Sequence, residues 1–406
     1  MTIKAFKQGF LKSIKLLLLL VIVTGCTAGT RTPISEADIQ DAAPYGIKGV
    51  RAWGDVLGDQ QVDTVLRRQV SLIKQTHADA IALGEPIHQT FLALSGGGPD
   101  GAFGAGLLAG WTERGDRPVF DVVTGVSTGA IVGLFAFLGP AFDQSLQEIY
   151  TAYKTDQLIE PTIFSALTGG TSITDATGYN SLIDKYIDDN VVALLADEAR
   201  RGRILLIGTT NLDAARPVVW NVTQIAASGH PNAKALIRDL VRASSAIPAV
   251  FPPILIPSVT ASGEEVDELH VDGGATAQVM LFSPEVPLAR IDQQLGTEVT
   301  RELYVIMNNS LKKPYEPVAY GLLPIAGRAA SSLISGSGGG DLYKIYAITQ
   351  RDGIDFNLTW IPEDLGLVPT EAFDTVYMEA LYDYGFSLGE SAVDWQKTPP
   401  NFVTGE

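Results

Sequence analysis

The chain has 406 residues, of which 29 are Lys or Arg and 46 are Asp or Glu, so its formal net charge is −17. A hydrophobic fraction of 46% excludes a disordered or fibrous protein, and the acidic balance argues against a nucleic-acid partner. The one cysteine excludes an internal disulfide, and no Cys and His cluster has the spacing of a zinc site, so the fold must depend on a buried core.

The first 25 residues have the pattern of a secretory signal. Four lysines and no acid precede an apolar run at residues 16–23, which is shorter than the roughly 20 residues of a membrane span. The run leads to Thr24-Gly25-Cys26, which resembles a bacterial lipobox, where a cysteine receives acyl chains after cleavage. We therefore expect residues 1–25 to be a lipoprotein signal peptide, Cys26 to be lipidated, and residues 26–44 to form a tether. The alternative is an ordinary signal peptide with Cys26 as an unmodified thiol.

Residues 45–89 are expected to form an N-terminal helical extension, with its clearest helix at residues 62–76. From residue 90 the pattern changes to short apolar runs that alternate with helical stretches. Strands are predicted at residues 91–94, 120–124, 204–207 and 303–307, and helices at residues 101–111 and 130–138. Unbroken apolar strands are typical of a mainly parallel sheet covered on both faces, so we predict a three-layer α/β/α fold.

The last part of the chain, residues 311–406, is expected to form an extension that packs on this core. A glycine- and serine-rich run at residues 335–340 predicts a flexible loop. Residues 371–384 place six apolar or aromatic side chains on one helical face, with Gly385 as the expected C-cap. We interpret that face as core packing, and a membrane-contacting or lid helix is the alternative.

The run Gly125-Val126-Ser127-Thr128-Gly129 lies where a predicted strand meets a predicted helix. G-x-S-x-G at such a position is a nucleophile elbow, in which small residues allow a sharp turn that projects the serine above the sheet. The amino terminus of the following helix favours negative charge near the serine. These features predict that Ser127 is a catalytic nucleophile.

A second turn, Ser95-Gly96-Gly97-Gly98-Pro99-Asp100-Gly101, also follows a strand and opens a helix. Consecutive glycines let backbone N–H groups approach the oxyanion that forms during acyl transfer. Because Pro99 has no N–H, the expected donors are Gly97 and Gly98, with Gly96 shaping the turn. Gly96, Gly98 and Gly101 also fit the dinucleotide pattern G-x-G-x-x-G. That fold needs an acidic residue at the end of the second strand, where this chain has the elbow instead, so we reject it.

Together these motifs resemble the patatin-like phospholipase family. The resemblance covers residues 90–310 and rests on five blocks in the family's order: Gly96-Gly97-Gly98-x-x-Gly101, Gly125-x-Ser127-x-Gly129, Thr209-Thr210-Asn211-Leu212-Asp213, residues 243–253, and Asp272-Gly273-Gly274. It implies a hydrolase domain at residues 90–310, in which Ser127 and Asp272 form a catalytic dyad and the glycines at 96–98 form the oxyanion hole. The implied reaction is hydrolysis of a lipid acyl ester through an acyl-enzyme, by a phospholipase A, acylglycerol lipase or esterase, without calcium or another cofactor.

One residue departs from the family pattern. The family often has Arg or Lys at the position of Asp100, where a cation would help to bind a lipid phosphate. Neutral acylglycerols or simple esters therefore compete with phospholipids as the expected substrate.

Two alternatives to the dyad enzyme stay open at this point. A triad in α/β-hydrolase order would use His270 with an acid such as Asp213. We favour the dyad and interpret His270 as a structural neighbour of the Asp272 turn. A binding lipoprotein that keeps the fold without the chemistry is the second alternative. The intact Ser127 and Asp272 argue against it.

The expected partners are a lipid ester substrate and a membrane, which the chain would contact through its lipid anchor. A lipobox implies a bacterium. Cys26 is followed by Thr27 rather than by the aspartate associated with inner-membrane retention. We therefore expect a cell-envelope location on the outer-membrane or periplasmic side, and the sequence leaves the oligomeric state open.

Overall fold

The computed structural model of the protein describes residues 31–162, 170–312, 315 and 317–402. The expected signal peptide and the lipidation site Cys26 lie outside the described residues.

The strands of the described chain belong to one large sheet and one small two-stranded sheet. They are β1 (Ala43–Pro44), β2 (Arg51–Trp53), β3 (Ile87–Leu94), β4 (Val122–Val126), β5 (Glu160–Pro161), β6 (Thr174–Asp175), β7 (Ile204–Asn211), β8 (Arg216–Asn221), β9 (Ile254–Val259), β10 (Glu265–Asp272), β11 (Val299–Met307) and β12 (Asp355–Trp360).

The helices alternate with the strands along most of the chain. They are α1 (Asp59–Thr76), α2 (Ala78–Leu83), α3 (Gly101–Arg114), α4 (Thr128–Leu138), α5 (Asp143–Thr151), α6 (Thr155–Leu158), α7 (Thr177–Tyr186), α8 (Asp189–Arg200), α9 (Val222–Ala227), α10 (Ala233–Ser244), α11 (Leu288–Leu295), α12 (Leu322–Asp352) and α13 (Thr375–Ser391). Short 3₁₀ turns at Gly98–Asp100 and Gly273–Ala275 adjoin the predicted site motifs.

The main sheet has the order β1-β9-β10-β7-β4-β3-β11-β12, with β8 paired to β7 and β2 paired to β8. Its centre is parallel, because β7, β4, β3, β11 and β12 all pair in parallel register. The edge formed by β9 and β10 is antiparallel. The carboxyl ends of the parallel strands meet at one edge, where ligands of open α/β sheets bind.

Apolar side chains of the central strands point alternately into two helical layers. In β3, Leu92 and Leu94 pack in one core with α3 and α4, whereas Phe91 and Ala93 pack in a second core with α1, α11 and α12. All four side chains are buried. A strand buried on both faces has no polar alternation, which explains the unbroken apolar runs in the sequence. The predicted three-layer α/β/α fold with a mainly parallel sheet is confirmed.

The prediction that Gly385 ends a helix is wrong. Helix α13 continues through it to Ser391. A Cβ on Gly385 would overlap the carbonyl oxygen of Phe103, and a Cβ on Gly110 would overlap that of Phe386. The glycines therefore allow the backbones of α3 and α13 to approach closely. Of the face predicted to pack in the core, Leu381 is buried in the first core and Phe373, Tyr377 and Tyr384 pack against it, whereas Val376 is 75% exposed.

The prediction of a flexible loop at residues 335–340 is also wrong, because these residues lie inside α12. The carboxyl half of this helix buries Leu342, Ile345 and Ile348 in the second core, and the Gln278 N–H donates to Asp341 Oδ2 at 2.7 Å. Such tertiary contacts outweigh the low helix propensity of glycine. None of the helices that the structure describes is long and apolar enough to cross a membrane.

Residues 31–44, expected to be the end of a tether, pack against the sheet instead. Ile34, Ile39 and Ala42 are buried, and β1 pairs with β9. Arg31 forms salt bridges with Asp213 at 2.6 Å and with Asp267 at 2.7 Å. The buried apolar side chains and these ion pairs fix a segment whose overall polarity suggested a free linker.

Candidate active site

Ser127 lies in a sharp turn between β4 and α4. Its backbone has φ 55° and ψ −126°, a conformation that non-glycine residues rarely adopt. A Cβ on Gly125 would overlap the carbonyl oxygen of Gly129, and a Cβ on Gly129 would overlap that of Leu94. The two glycines of the motif are therefore required by close backbone contacts, and the turn is the strained elbow that the sequence predicts.

Asp272 ends β10 and faces Ser127. The Ser127 hydroxyl donates to Asp272 Oδ2 at 2.7 Å, and the Gly274 N–H donates to Oδ1 at 2.7 Å. The Asp272 N–H donates to the Ala246 carbonyl at 2.9 Å, which fixes the backbone at this point. Ser127 is 6% exposed and Asp272 is 3% exposed. The structure thus brings the two predicted dyad residues into direct contact.

Burial changes the acid–base chemistry of this carboxyl group. It raises the pKa of Asp272 to about 7, although the hydrogen bonds from Ser127 and Gly274 act in the opposite direction. An aspartate with an ordinary pKa near 4 is a weak base at neutral pH. A pKa near neutrality suits a group that must accept and return a proton.

The glycine-rich turn lies beside the dyad, at the carboxyl end of β3. The Gly96 N–H donates to the Gln278 carbonyl at 2.9 Å, whereas the N–H groups of Gly97 and Gly98 donate to no other residue that the structure describes. Gly98 has φ +59°. Among the described residues, the two amides expected as oxyanion donors thus have no acceptor, whereas the Gly96 amide has one.

Two asparagines that the sequence did not single out hold this turn in place. Asn308 follows β11 and donates through Nδ2 to the Ser95 carbonyl at 2.9 Å, while its N–H donates to Ser95 Oγ at 2.8 Å. Asn309 donates through Nδ2 to the Gly96 carbonyl at 3.1 Å. The parallel pairing of β11 with β3 places both asparagines here, and no local sequence signal could have indicated it.

The histidine of the alternative triad lies apart from Ser127. His270 is fully buried, its Nδ1 is 2.9 Å from Thr209 Oγ1, and its Nε2 is 3.4 Å from Asn211 Nδ2. Burial lowers its pKa. Asp213, the acid considered for the triad, pairs with Arg31. The structure therefore contains none of the contacts that the triad requires.

Asp100, where the family often has a cation, contacts the C-terminal helix. The Tyr377 hydroxyl donates to Asp100 Oδ1 at 2.7 Å, and burial together with this carboxylate raises the pKa of Tyr377. Residues of the C-terminal extension thus border the glycine-rich turn.

Ser244 is a further residue of the site whose role the sequence left unassigned. Its hydroxyl accepts the Ser127 N–H at 2.9 Å and donates to the Gly208 carbonyl at 2.6 Å. Ser244 is fully buried at the end of α10. One side chain therefore links the elbow to β7 and holds the Ser127 backbone.

Replacing Ser244 with Ala is expected to lower kcat about 5- to 10-fold, the rate equivalent of one lost hydrogen bond. KM should stay unchanged, because Ser244 acts on the Ser127 backbone. Steady-state kinetics with a short soluble ester measure both constants. Ser258→Ala is the matched control, because Ser258 is also buried and donates to Glu268 at 2.7 Å away from the elbow. An equal loss of kcat in both variants would contradict this role.

A family model matches the part of the chain that contains Ser127 and Asp272. Residues 92–283 match the family model of patatin-like phospholipases. Among solved structures, VipD from Legionella pneumophila is 14% identical with a TM-score of 0.35, and the match covers 76% of this chain and 67% of VipD. Human GIVD cytosolic phospholipase A2 is 11% identical with a TM-score of 0.37, and the match covers 84% of this chain and 64% of that protein. No match was found among curated proteins. Residues 92–283 of this chain therefore form a patatin-like phospholipase domain, a domain of a lipid-hydrolase family.

Proposed function

We propose that this protein hydrolyses lipid acyl esters with a Ser127–Asp272 dyad. The observation that carries the proposal is the 2.7 Å hydrogen bond from the Ser127 hydroxyl to Asp272 in a buried site of the patatin-like domain. A nucleophile and a base within hydrogen-bond distance are the minimal arrangement for covalent ester hydrolysis.

In the first half of the proposed reaction, Asp272 accepts the hydroxyl proton while Ser127 Oγ bonds to the ester carbonyl carbon. The carbonyl oxygen becomes an oxyanion, which the N–H groups of Gly97 and Gly98 stabilise. The intermediate then expels the alcohol, which takes the proton from Asp272, and leaves an acyl-serine.

In the second half, Asp272 accepts a proton from a water molecule as the water oxygen attacks the acyl carbon. The second oxyanion forms in the same glycine-rich turn. When it collapses, the bond to Ser127 Oγ breaks, Oγ regains the proton from Asp272, and the fatty acid leaves. The enzyme returns to its starting state.

The pH dependence of kcat/KM should report the titration of Asp272. Because the base must be unprotonated, we expect kcat/KM to rise with pH through an apparent pKa near 7 and to fall about tenfold per pH unit below pH 6. A pH series with a soluble ester measures the curve. An acid limb near pH 4 would mean that the carboxyl group titrates like an exposed aspartate, contrary to the proposal.

We propose further that the reaction needs no metal cofactor. No group of three or more His, Cys, Asp or Glu side chains suited to a metal ion occurs in the described part of the chain.

We also propose that the substrate is a phospholipid or a neutral acylglycerol. The carboxylate of Asp100, within the glycine-rich turn, disfavours a lipid phosphate at that point and so supports neutral esters.

Fatty-acid release from mixed micelles of phospholipid and acylglycerol, in EDTA, tests the proposed function. Wild-type protein should release fatty acid and Ser127→Ala should not, and the products identify the preferred lipid. Equal release by both proteins would refute the role of Ser127. Absence of release from the wild-type protein would favour a lipid-binding lipoprotein that retains the fold.

We also propose that lipidated Cys26 anchors the chain to a bacterial envelope membrane, on the outer-membrane or periplasmic side. The lipobox-like sequence before Cys26 supports this proposal. Labelled palmitate should be incorporated into the wild-type chain in cells and not into Cys26→Ser. Incorporation into both would show that Cys26 is not the acylated residue.

A further inference from the structure

The helical layer of the second core leaves part of the central sheet uncovered. A cavity of about 1020 Å³ lies between α1 and the amino-terminal halves of the central strands. Its apolar walls include Val65 and Ile73 of α1 and Phe91, Val122 and Leu206 of the sheet. Val122 and Leu206 are only partly buried, although residues at the centre of a parallel sheet are usually covered on both faces.

Among the described residues, all the arginines of the cavity wall except one form ion pairs. Arg51, Arg216 and Arg301 line the cavity, and each forms a salt bridge with a carboxylate, namely with Glu268, Asp55 and Asp292, respectively.

Arg68, on α1, also lines the cavity but forms no ion pair within the described part of the chain. Its guanidinium donates to the Gln224 side chain, and burial lowers its pKa. Asp41 and Asp59 line the cavity as well, and neither pairs with Arg68 among the described residues. The cavity therefore combines a long apolar wall with one cation that lacks an anionic partner.

This cavity is separate from the dyad. Ser127 follows β4 at its carboxyl end, whereas Val122 begins β4 at the cavity. Val122 and Ser127 are five positions apart along an extended strand, a distance of about 16 Å. Neither Ser127 nor Asp272 lines the cavity.

We propose that this cavity binds one long-chain fatty acid, with its carboxylate on Arg68 and its acyl chain against the face of β3, β4 and β7. Ligand sites of this size are mostly apolar with a few polar groups that fix orientation. A guanidinium binds a carboxylate through paired, charge-assisted hydrogen bonds. Binding needs neither Ser127 nor Asp272, so the inference is independent of the proposed hydrolysis.

The test is a titration of the full-length Ser127→Ala protein with cis-parinaric acid, a fluorescent fatty acid, because this variant cannot turn over a lipid. We expect saturable binding of one molecule per chain. Arg68→Gln should weaken it about tenfold, and Leu206→Trp, which fills the cavity, should abolish it. Arg67→Gln is the matched control, because Arg67 is the neighbour of Arg68 on α1 and is also exposed, but it does not line the cavity.

The variants and a second ligand separate the possible outcomes. A fatty alcohol of the same length should bind more weakly than the acid to the parent protein and about equally to Arg68→Gln. Unchanged affinity in both Arg68→Gln and folded Leu206→Trp would overturn the proposal. Loss of binding when a fluorophosphonate blocks Ser127 in the wild-type protein would also overturn it, because the fatty acid would then occupy the catalytic site.

Discussion

Replacing Asp272 with Asn should lower kcat by about 10²–10⁴-fold, the usual contribution of a general base. The amide keeps the shape of the side chain, but it cannot take the Ser127 proton over the 2.7 Å hydrogen bond. Turnover of a soluble ester per correctly folded site measures the effect. Full activity in Asp272→Asn would refute the dyad.

Two comparisons show whether lost activity in Asp272→Asn reflects lost chemistry. His270→Ala should retain near-normal turnover per folded molecule, because His270 does not contact Ser127.

The thermal stability of Asp272→Asn provides the second comparison. Burial raises the pKa of Asp272 from an ordinary value of 3.8 to about 7, so between these values the folded state binds more protons and stability falls as pH rises. Asp272→Asn should therefore be more stable than wild type at pH 8. A lower melting temperature there would indicate a disrupted fold.

Replacing Gly97 with Ala should lower kcat by about 10²–10³-fold, the typical cost of one displaced oxyanion donor. The new Cβ would overlap the Asn308 carbonyl oxygen, so the turn must move away from the position of the developing charge. KM for a soluble ester should change little, because the ground-state substrate carries no oxyanion.

Gly110→Ala provides the matched control for Gly97→Ala. Its Cβ would also overlap a backbone carbonyl oxygen, that of Phe386, but at the contact between α3 and α13. Both variants should lose thermal stability, and only Gly97→Ala should lose kcat per folded molecule. Comparable kcat losses in both would mean that the Gly97 effect reflects disruption of the fold.

The parts of the site that were predictable are those encoded within a few adjacent residues. The elbow around Ser127 requires small residues at fixed spacing next to a strand and a helix, so it was evident from the sequence. Asp272 was different, because Asp-Gly-Gly alone indicates only a turn, and its assignment depended on the family resemblance. The raised pKa of Asp272 results from its burial in the folded protein, which no sequence pattern could show.

The contacts that were missed depend on residues far apart in the chain. Ser244 reaches Ser127 across 117 residues, and Asn308 reaches Ser95 across 213. The strand order β7-β4-β3-β11 makes these residues neighbours, and that order is not written in any one segment. The prediction that Gly385 ends a helix is wrong for the same reason, because this glycine instead allows the backbone of α3 to approach α13 closely.

Covalent labelling with a fluorophosphonate tests the identity of the nucleophile most directly. We expect the folded wild-type protein to incorporate one label, on the peptide that contains Ser127, and Ser127→Ala to incorporate none. Asp272→Asn should be labelled much more slowly, because its serine has no base. Labelling of another residue, or no labelling of the folded wild-type protein, would contradict the proposal that this patatin-like domain is a serine hydrolase.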